Sequence, residues 1–277
     1  MTGPAVYSAA RPVDGPADVP VGGPAPARWR GEPLLESRAY LELARLLADP
    51  VWRGHGVPAG DGRTVLLLPG YLAGDNTLSL LARFLRRIGH RPAFAGIAFN
   101  SGCARSYAGR MADALRHQRA RTGREVAIVG HSRGGHYAKA LATEHPEDVS
   151  HVVCLGSGLE SALDTFPVTR LTVATSRRLF APSGSPRGEL GCLTGECNCE
   201  LARAYRRPYP GRPRLTSIYT RSDGMVRWQS CVADYATCVE VPGSHIGLAF
   251  NRHAYRAVAE ALATRPTRDI ADQEERS

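Results

Sequence analysis

The 277-residue chain has no apolar stretch near the roughly 20 residues that a membrane-crossing helix needs. Its first residues show no basic run followed by an apolar core, so no secretory leader is expected and a cytoplasmic location is the sequence expectation. Lysine is almost missing: among 35 Lys and Arg residues only Lys139 is lysine. The formal charge of +9 is therefore carried by scattered arginines. No basic helix is interleaved with aromatics, so nucleic acid is not an expected partner, although anionic substrates or surfaces would be attracted. The seven cysteines, an odd number, include Cys103 and Cys154 in isolation. The spacing Cys192-x4-Cys197-x-Cys199 is not that of a zinc site and brings no fourth ligand, so no metal or cofactor is expected. Cys231 and Cys238 bracket a short loop and are candidates for a disulfide, as is a pair within the 192–199 cluster. Such bonds would indicate an oxidising compartment, at odds with the missing leader.

What is present is an alternation. Residues 1–30 are rich in Pro, Gly and Ala, lack periodicity and are expected to be disordered or loosely packed. Glu36 to Asp49 carries Ala39, Leu43, Leu46 and Leu47 at helical spacing. Then come an apolar strand at 64–68 and a helix at 77–89 with Leu78, Leu81, Phe84, Leu85 and Ile88 on one side. A strand at 93–98, a helix at 105–122, a strand at 126–129, a helix at 134–145 and a strand at 151–155 follow. Strands at 215–220 and 238–241 close the pattern. Strand and helix in alternation predict an α/β fold with a mostly parallel central sheet of about six strands and helices on both faces. Residues 158–212 break the alternation and hold a possible helix at 167–180. Long irregular segments in compact domains are usually functional, so 158–212 is expected to be a cap or lid insertion between core segments 31–157 and 213–265, with a flexible tail at 266–277.

Four features converge on one chemistry. Gly130-His131-Ser132-Arg133-Gly134 lies between the 126–129 strand and the next helix. A strand, a tight G-x-S-x-G turn and a helix lift a serine hydroxyl clear of the sheet. Asp223 follows an apolar strand, and a carboxylate at such a strand end points into the crevice where open α/β sheets work. Asp234, with no strand directly before it, is the weaker acid. His245 lies on the loop after the last strand, where an imidazole can swing over the serine. His131, His136 and His151 compete with it on composition only. The strand at 64–68 ends in Pro69-Gly70-Tyr71, where a Gly turn allows the Tyr71 backbone N–H to face the serine. The Arg133 N–H, directly after the serine, would be the second donor of an oxyanion hole.

Carried by Pro69-Gly70-Tyr71, Gly130 to Gly135, Ser222-Asp223-Gly224 and Gly243-Ser244-His245, the chain resembles the α/β-hydrolases of the bacterial lipase and esterase group over residues 62–264. The resemblance implies an α/β-hydrolase fold with Ser132 as nucleophile, His245 as base and Asp223 as its orienting acid. Leu72, His131 and Ile246 would line the substrate site, and the substrate would be a small acyl ester. The chain departs from the pattern in two places. It has Pro-Gly where many lipases have His-Gly, and Arg133 stands where a small or apolar residue is frequent. Arg133 would either favour an anionic acyl chain or turn away into a surface ion pair. Two other readings stay open: a thioesterase or acyl-transfer enzyme meeting an acyl carrier protein through Arg133 and the arginines of the cap, and a hydrolase-fold binding protein without activity.

Overall fold

The structure, a computed structural model, describes residues 6–7, 33–161, 164–180 and 197–264. Seven strands form one sheet. They are β1 (Val6–Tyr7), β2 (Thr64–Leu68), β3 (Arg91–Phe94), β4 (Val126–His131), β5 (Val149–Leu155), β6 (Arg214–Tyr219) and β7 (Thr237–Glu240), in the order β1-β7-β6-β5-β4-β2-β3. Strands β2 to β7 are parallel, as the alternation predicts. The seventh strand is the two-residue β1, which pairs antiparallel with β7. The sequence gives no sign of it, because two residues carry no period.

The order reverses at β2: β3 lies on one side of it and β4 on the other. Open α/β sheets bind ligands outside the carboxyl ends of the strands at such a switch point. Ser132 follows β4 and Tyr71 follows β2, so both stand at this place.

The run Thr64–Leu68 is buried throughout, and its side chains alternate between two cores. Val65 and Leu67 face one with α1 (Ala39–Ala48), α2 (Ser79–Arg87) and α7 (Arg252–Ala263). Leu66 and Leu68 face the other with α3 (Arg105–Thr122), α4 (Arg133–Glu144) and α6 (Glu200–Arg206). In α2 the five apolar residues expected on one side are all buried. The α1 reading is corrected. Its buried face is Ala39, Glu42 and Leu46, whereas Leu47 is 45% exposed. Ala39 and Leu46 are buried and Leu43 half-buried as expected, but Glu42 takes a core place where Leu47 was expected, because a glutamate with enough donors around it can also be buried. Strand β3 ends at Phe94 rather than 98. Gly96, at φ 74°, turns the chain out of the sheet, and 97–100 instead bind the turn after β2.

Part of the expected cap is core. The first half of 158–212 contains α5 (Pro167–Phe180), joined to the loop after β6 by Phe166 N–H to the Met225 carbonyl at 3.1 Å and by the Thr169 hydroxyl to the same carbonyl at 3.1 Å. Residues 181–196, including Cys192, lie outside the described residues. From Cys197 onward the chain packs into the second core, with Leu201, Ala204, Tyr205 and Tyr209 buried. The boundary expected at 212 lies in a mostly exposed stretch, with Tyr209 and Pro213 buried on either side of it. The six described cysteines are all buried thiols, and the Cys231–Cys238 disulfide does not form. Cys238 instead donates to the Ala233 and Ala236 carbonyls. Among the described residues no helix is long and apolar enough to cross a membrane.

Tyr255 is the largest fully buried side chain. Its ring lies 4.8 Å from that of Phe84, and its hydroxyl donates to the Ala249 carbonyl at 2.9 Å. Tyr255→Phe is expected to cost about 1 kcal/mol by stranding that carbonyl, and Tyr255→Ala about 3–5 kcal/mol by opening a cavity. Urea denaturation midpoints read both.

Candidate active site

Ser132 is the single residue between β4 and α4, at φ 52° and ψ −121°. A non-glycine residue there is strained by about 1–3 kcal/mol, so neighbours must hold it. Its N–H donates to the Leu155 carbonyl at 2.8 Å. Its carbonyl accepts from the Gly135 N–H at 2.9 Å and the Ser157 hydroxyl at 2.7 Å. The flanking glycines are dictated by contact. A Cβ on Gly130 would lie 2.3 Å from the Gly134 carbonyl, and one on Gly134 would lie 2.1 Å from the Leu68 carbonyl. The helix can descend onto β2 and β4 only without them.

Asp223 and His245 are brought together. The His245 Nδ1–H donates to Asp223 Oδ2 at 2.7 Å, and both side chains are almost fully buried. Asp223 Oδ1 accepts from the Met225 and Val226 N–H groups at 2.8 and 2.7 Å. One carboxylate oxygen thus shapes the turn while the other orients the imidazole. Burial opposes charge on His245, but the Asp223 charge and hydrogen bond, with the Glu36 charge, outweigh it and raise its pKa above the usual 6.5. Asp234 is exposed on the segment before β7.

The other histidines separate by environment. His131 Nε2–H donates to the His245 carbonyl at 2.9 Å, and the two rings are 5.2 Å apart. The residue before the serine therefore holds the backbone of His245. Burial, then the nearby His245, lowers the His131 pKa to about 4, so it is a neutral donor. His136 is pushed to about 3 by burial and then by Arg133 and Lys139. His151 lies near the start of β5, bound to Arg63 at 2.7 Å and to the Thr264 carbonyl, at the other end of the strands. No hydrogen bond joins Ser132 to His245; such contacts are often long before substrate binds.

Two buried glutamates hold the loops, and the sequence reading missed both. Glu36, in a 3-10 turn (Pro33–Arg38) before α1, accepts from the N–H groups of Gly224 at 3.0 Å, His245 at 3.2 Å and Ile246 at 2.8 Å. One carboxylate thereby joins the acid loop to the base loop. Glu42 accepts from Ser244 N–H and Asn251 Nδ2, both at 2.9 Å. The available signal was two glutamates, six residues apart, one just before the amphipathic helix and one within its buried face.

The turn after β2 abuts Ser132: a Cβ on Gly70 would lie 3.2 Å from Ser132 Cβ. Leu72 sits at φ 56° and donates its N–H to the Asn100 carbonyl at 2.9 Å, so its backbone has a structural task. Asn100, fully buried and also unforeseen, donates Nδ2–H to the Pro69 carbonyl at 3.0 Å. Its Oδ1 accepts from Arg133 at 3.1 Å and the Tyr137 hydroxyl at 3.0 Å. Arg133 thus follows neither expectation. It is buried, it donates also to the Gly102 carbonyl at 2.8 Å, and it lies over the rings of Tyr71 and Tyr137. Its backbone N–H opens α4, where the first helical turn has no acceptor within the helix. The Ile246 side chain is 43% exposed beside His245 in sequence.

Residues 104–205 match the model of the Esterase family, described as putative esterase. A search of curated proteins gives no match. Among solved structures, the mature Bacillus licheniformis lipase BlEst2 superposes with a TM-score of 0.54 at 14% identity, over 76% of this chain and 95% of that one. Its propeptide form gives 0.55 at 14% identity, over 76% and 52%. The product of a Listeria innocua gene gives 0.51 at 14% identity, over 75% and 96%. At these identities the likeness is one of fold, the α/β-hydrolase fold.

The loop clamp is open to test without a substrate. Removing the Glu36 charge removes one of the influences that favour imidazolium, so in Glu36→Gln the His245 resonance should titrate at lower pH than in the parent when followed by NMR. The same change puts an amide against backbone N–H groups and should cost about 1–3 kcal/mol of stability.

Proposed function

We propose that this chain, an α/β-hydrolase by fold with an esterase-family segment at its centre, is a serine hydrolase that cleaves carboxylic esters. The observation that carries the reading is the buried 2.7 Å contact between His245 and Asp223, on loops tied to the strained Ser132 turn through His131. In this reading the His245 Nε2 takes the Ser132 proton as Oγ attacks the ester carbonyl. Asp223 holds the ring by Nδ1 and stabilises the imidazolium that forms. The backbone N–H groups of Tyr71 and Arg133 receive the developing oxyanion, a contribution of about 3–4 kcal/mol per donor in comparable sites. The imidazolium then protonates the departing alcohol, and water hydrolyses the acyl-enzyme by the same groups in reverse. Leu72 and Ile246 border the site, whereas His131 is better read as a clamp on the base. The carrier-protein reading loses its support, because the Arg133 guanidinium is engaged by Asn100 and Gly102.

Ser132→Ala should abolish hydrolysis of short p-nitrophenyl esters and covalent labelling by a fluorophosphonate. Parent-like turnover in the variant would refute the assignment. The base must be neutral to act. Because its pKa is raised, kcat/KM should climb with pH along a limb centred above 6.5, and a limb centred below that value would contradict the environment of His245. Asn100→Ala frees the turn that carries Tyr71. It should lower kcat by about tenfold or more while changing KM little, since the oxyanion forms only in the transition state.

A further inference from the structure

Outside this site the structure gathers three thiols. Cys103 precedes α3, while Cys197 and Cys199 lie at the entrance to α6. Their sulfurs all lie within 4.8 Å of one another, and all three residues are buried. Cys103 Sγ and Cys197 Sγ are 3.7 Å apart although 94 residues separate them in sequence. We infer that Cys103, Cys197 and Cys199 form a structural site for a thiophilic divalent cation, zinc being the expected ion.

The distances favour a shared ion over a covalent pair. A disulfide needs sulfurs about 2.05 Å apart and would leave the third cysteine out. Sulfurs bound at about 2.3 Å to one tetrahedral ion stand about 3.8 Å from each other, close to the observed separation. The Cys199 N–H donates to Cys197 Sγ at 3.4 Å, a contact that supports a thiolate. The surroundings also suit the charge. Three thiols give up three protons to bind Zn2+, leaving one net negative charge. Arginines flank both halves: Arg206 donates to the Cys197 carbonyl at 2.7 Å, and Arg133 to the Gly102 carbonyl at 2.8 Å. The trio supplies three of the four ligands that a tetrahedral structural zinc takes. Sequence spacing hid the site, because the 197–199 pair is completed by a residue 94 positions away that packs in the same core.

The consequence is a clip on the loop that carries Asn100. Residues 100–103 run from the Pro69 turn to the first thiol, so an ion there would fasten α6 to the segment that steadies Tyr71 and Arg133.

The test is metal analysis of the full chain, purified without chelator or metal-affinity resin and supplied with zinc. About one zinc per chain is expected. Cys103→Ser and Cys199→Ser should each lose it, while Cys238→Ser keeps it. Replacing zinc with Co2+ should give thiolate-to-cobalt charge transfer and the visible bands of a tetrahedral ion. Removing the ion by chelation should lower the Tm of the parent. Parent protein that binds no zinc, or that shows a Cys103–Cys197 disulfide in peptide mapping, overturns the proposal. So does Cys103→Ser that retains the full zinc content. The parent measurement decides the matter even where a variant fails to fold.

Discussion

The geometry of the site depends on one buried carboxylate that performs no chemistry. Glu36 receives three backbone N–H groups, one from the loop of Asp223 and two from the loop of His245. Two irregular loops, after different strands, would otherwise have to hold a 2.7 Å contact by their own stiffness. Leaving a buried acceptor or donor unsatisfied costs about 1–3 kcal/mol, so these loops cannot separate without exposing the carboxylate and three donors together. Glu42 repeats the device one turn and a half further on, at Ser244 and Asn251. The N-terminal helix is therefore a brace for the site as much as a layer of the core.

Much of this fold is legible in sequence because its strands are buried on both faces. The run at 64–68 and the apolar residues of α2 report their positions by period alone, and helix α3 falls at the expected residues. Ser132, Asp223 and His245 stand out in sequence because each residue type follows a strand, and strand ends of a parallel sheet converge. The signal fails where a polar group does structural work. Glu36, Glu42 and Asn100 are charged or polar residues in buried places, and their value comes from partners 31 to 210 residues away. Periodicity contains no such information. The thiol cluster is hidden for the same reason: its spacing in sequence says nothing until Cys103 is placed beside it.

Arg133 shows how a local departure from a family pattern can be misread. Beside the nucleophile, a cation suggests an anionic substrate or a salt bridge. The guanidinium instead uses the Asn100 amide oxygen, the Gly102 carbonyl and two aromatic faces. Lys139, the one lysine, is treated in the same way. It is buried on α4, donates to the Leu159 carbonyl at 2.6 Å and lies near the rings of Tyr205 and Tyr235. A compact ammonium suits a narrow cage that a planar fork would not.

That choice of partners has an electrostatic meaning. A carboxylate paired with either cation would cancel its field at close range. At Arg133 an amide oxygen, a carbonyl and aromatic faces satisfy the donors while leaving the positive charge in place; at Lys139 burial lowers the pKa and the Glu160 charge partly offsets it. Both cations stand on α4, whose N-terminus already carries a positive partial charge. His136, on the same helix, registers the result: after burial, Arg133 and Lys139 are the main influences that push its pKa down to about 3. A helix that disfavours a proton there also favours negative charge at its mouth, where Ser132 sits. In the proposed mechanism the positive charges that add to burial in keeping His136 neutral would also favour an oxyanion near Ser132. At His245 the balance is reversed: burial opposes charge there too, but Asp223, by charge and hydrogen bond, and the Glu36 charge outweigh it and raise its pKa.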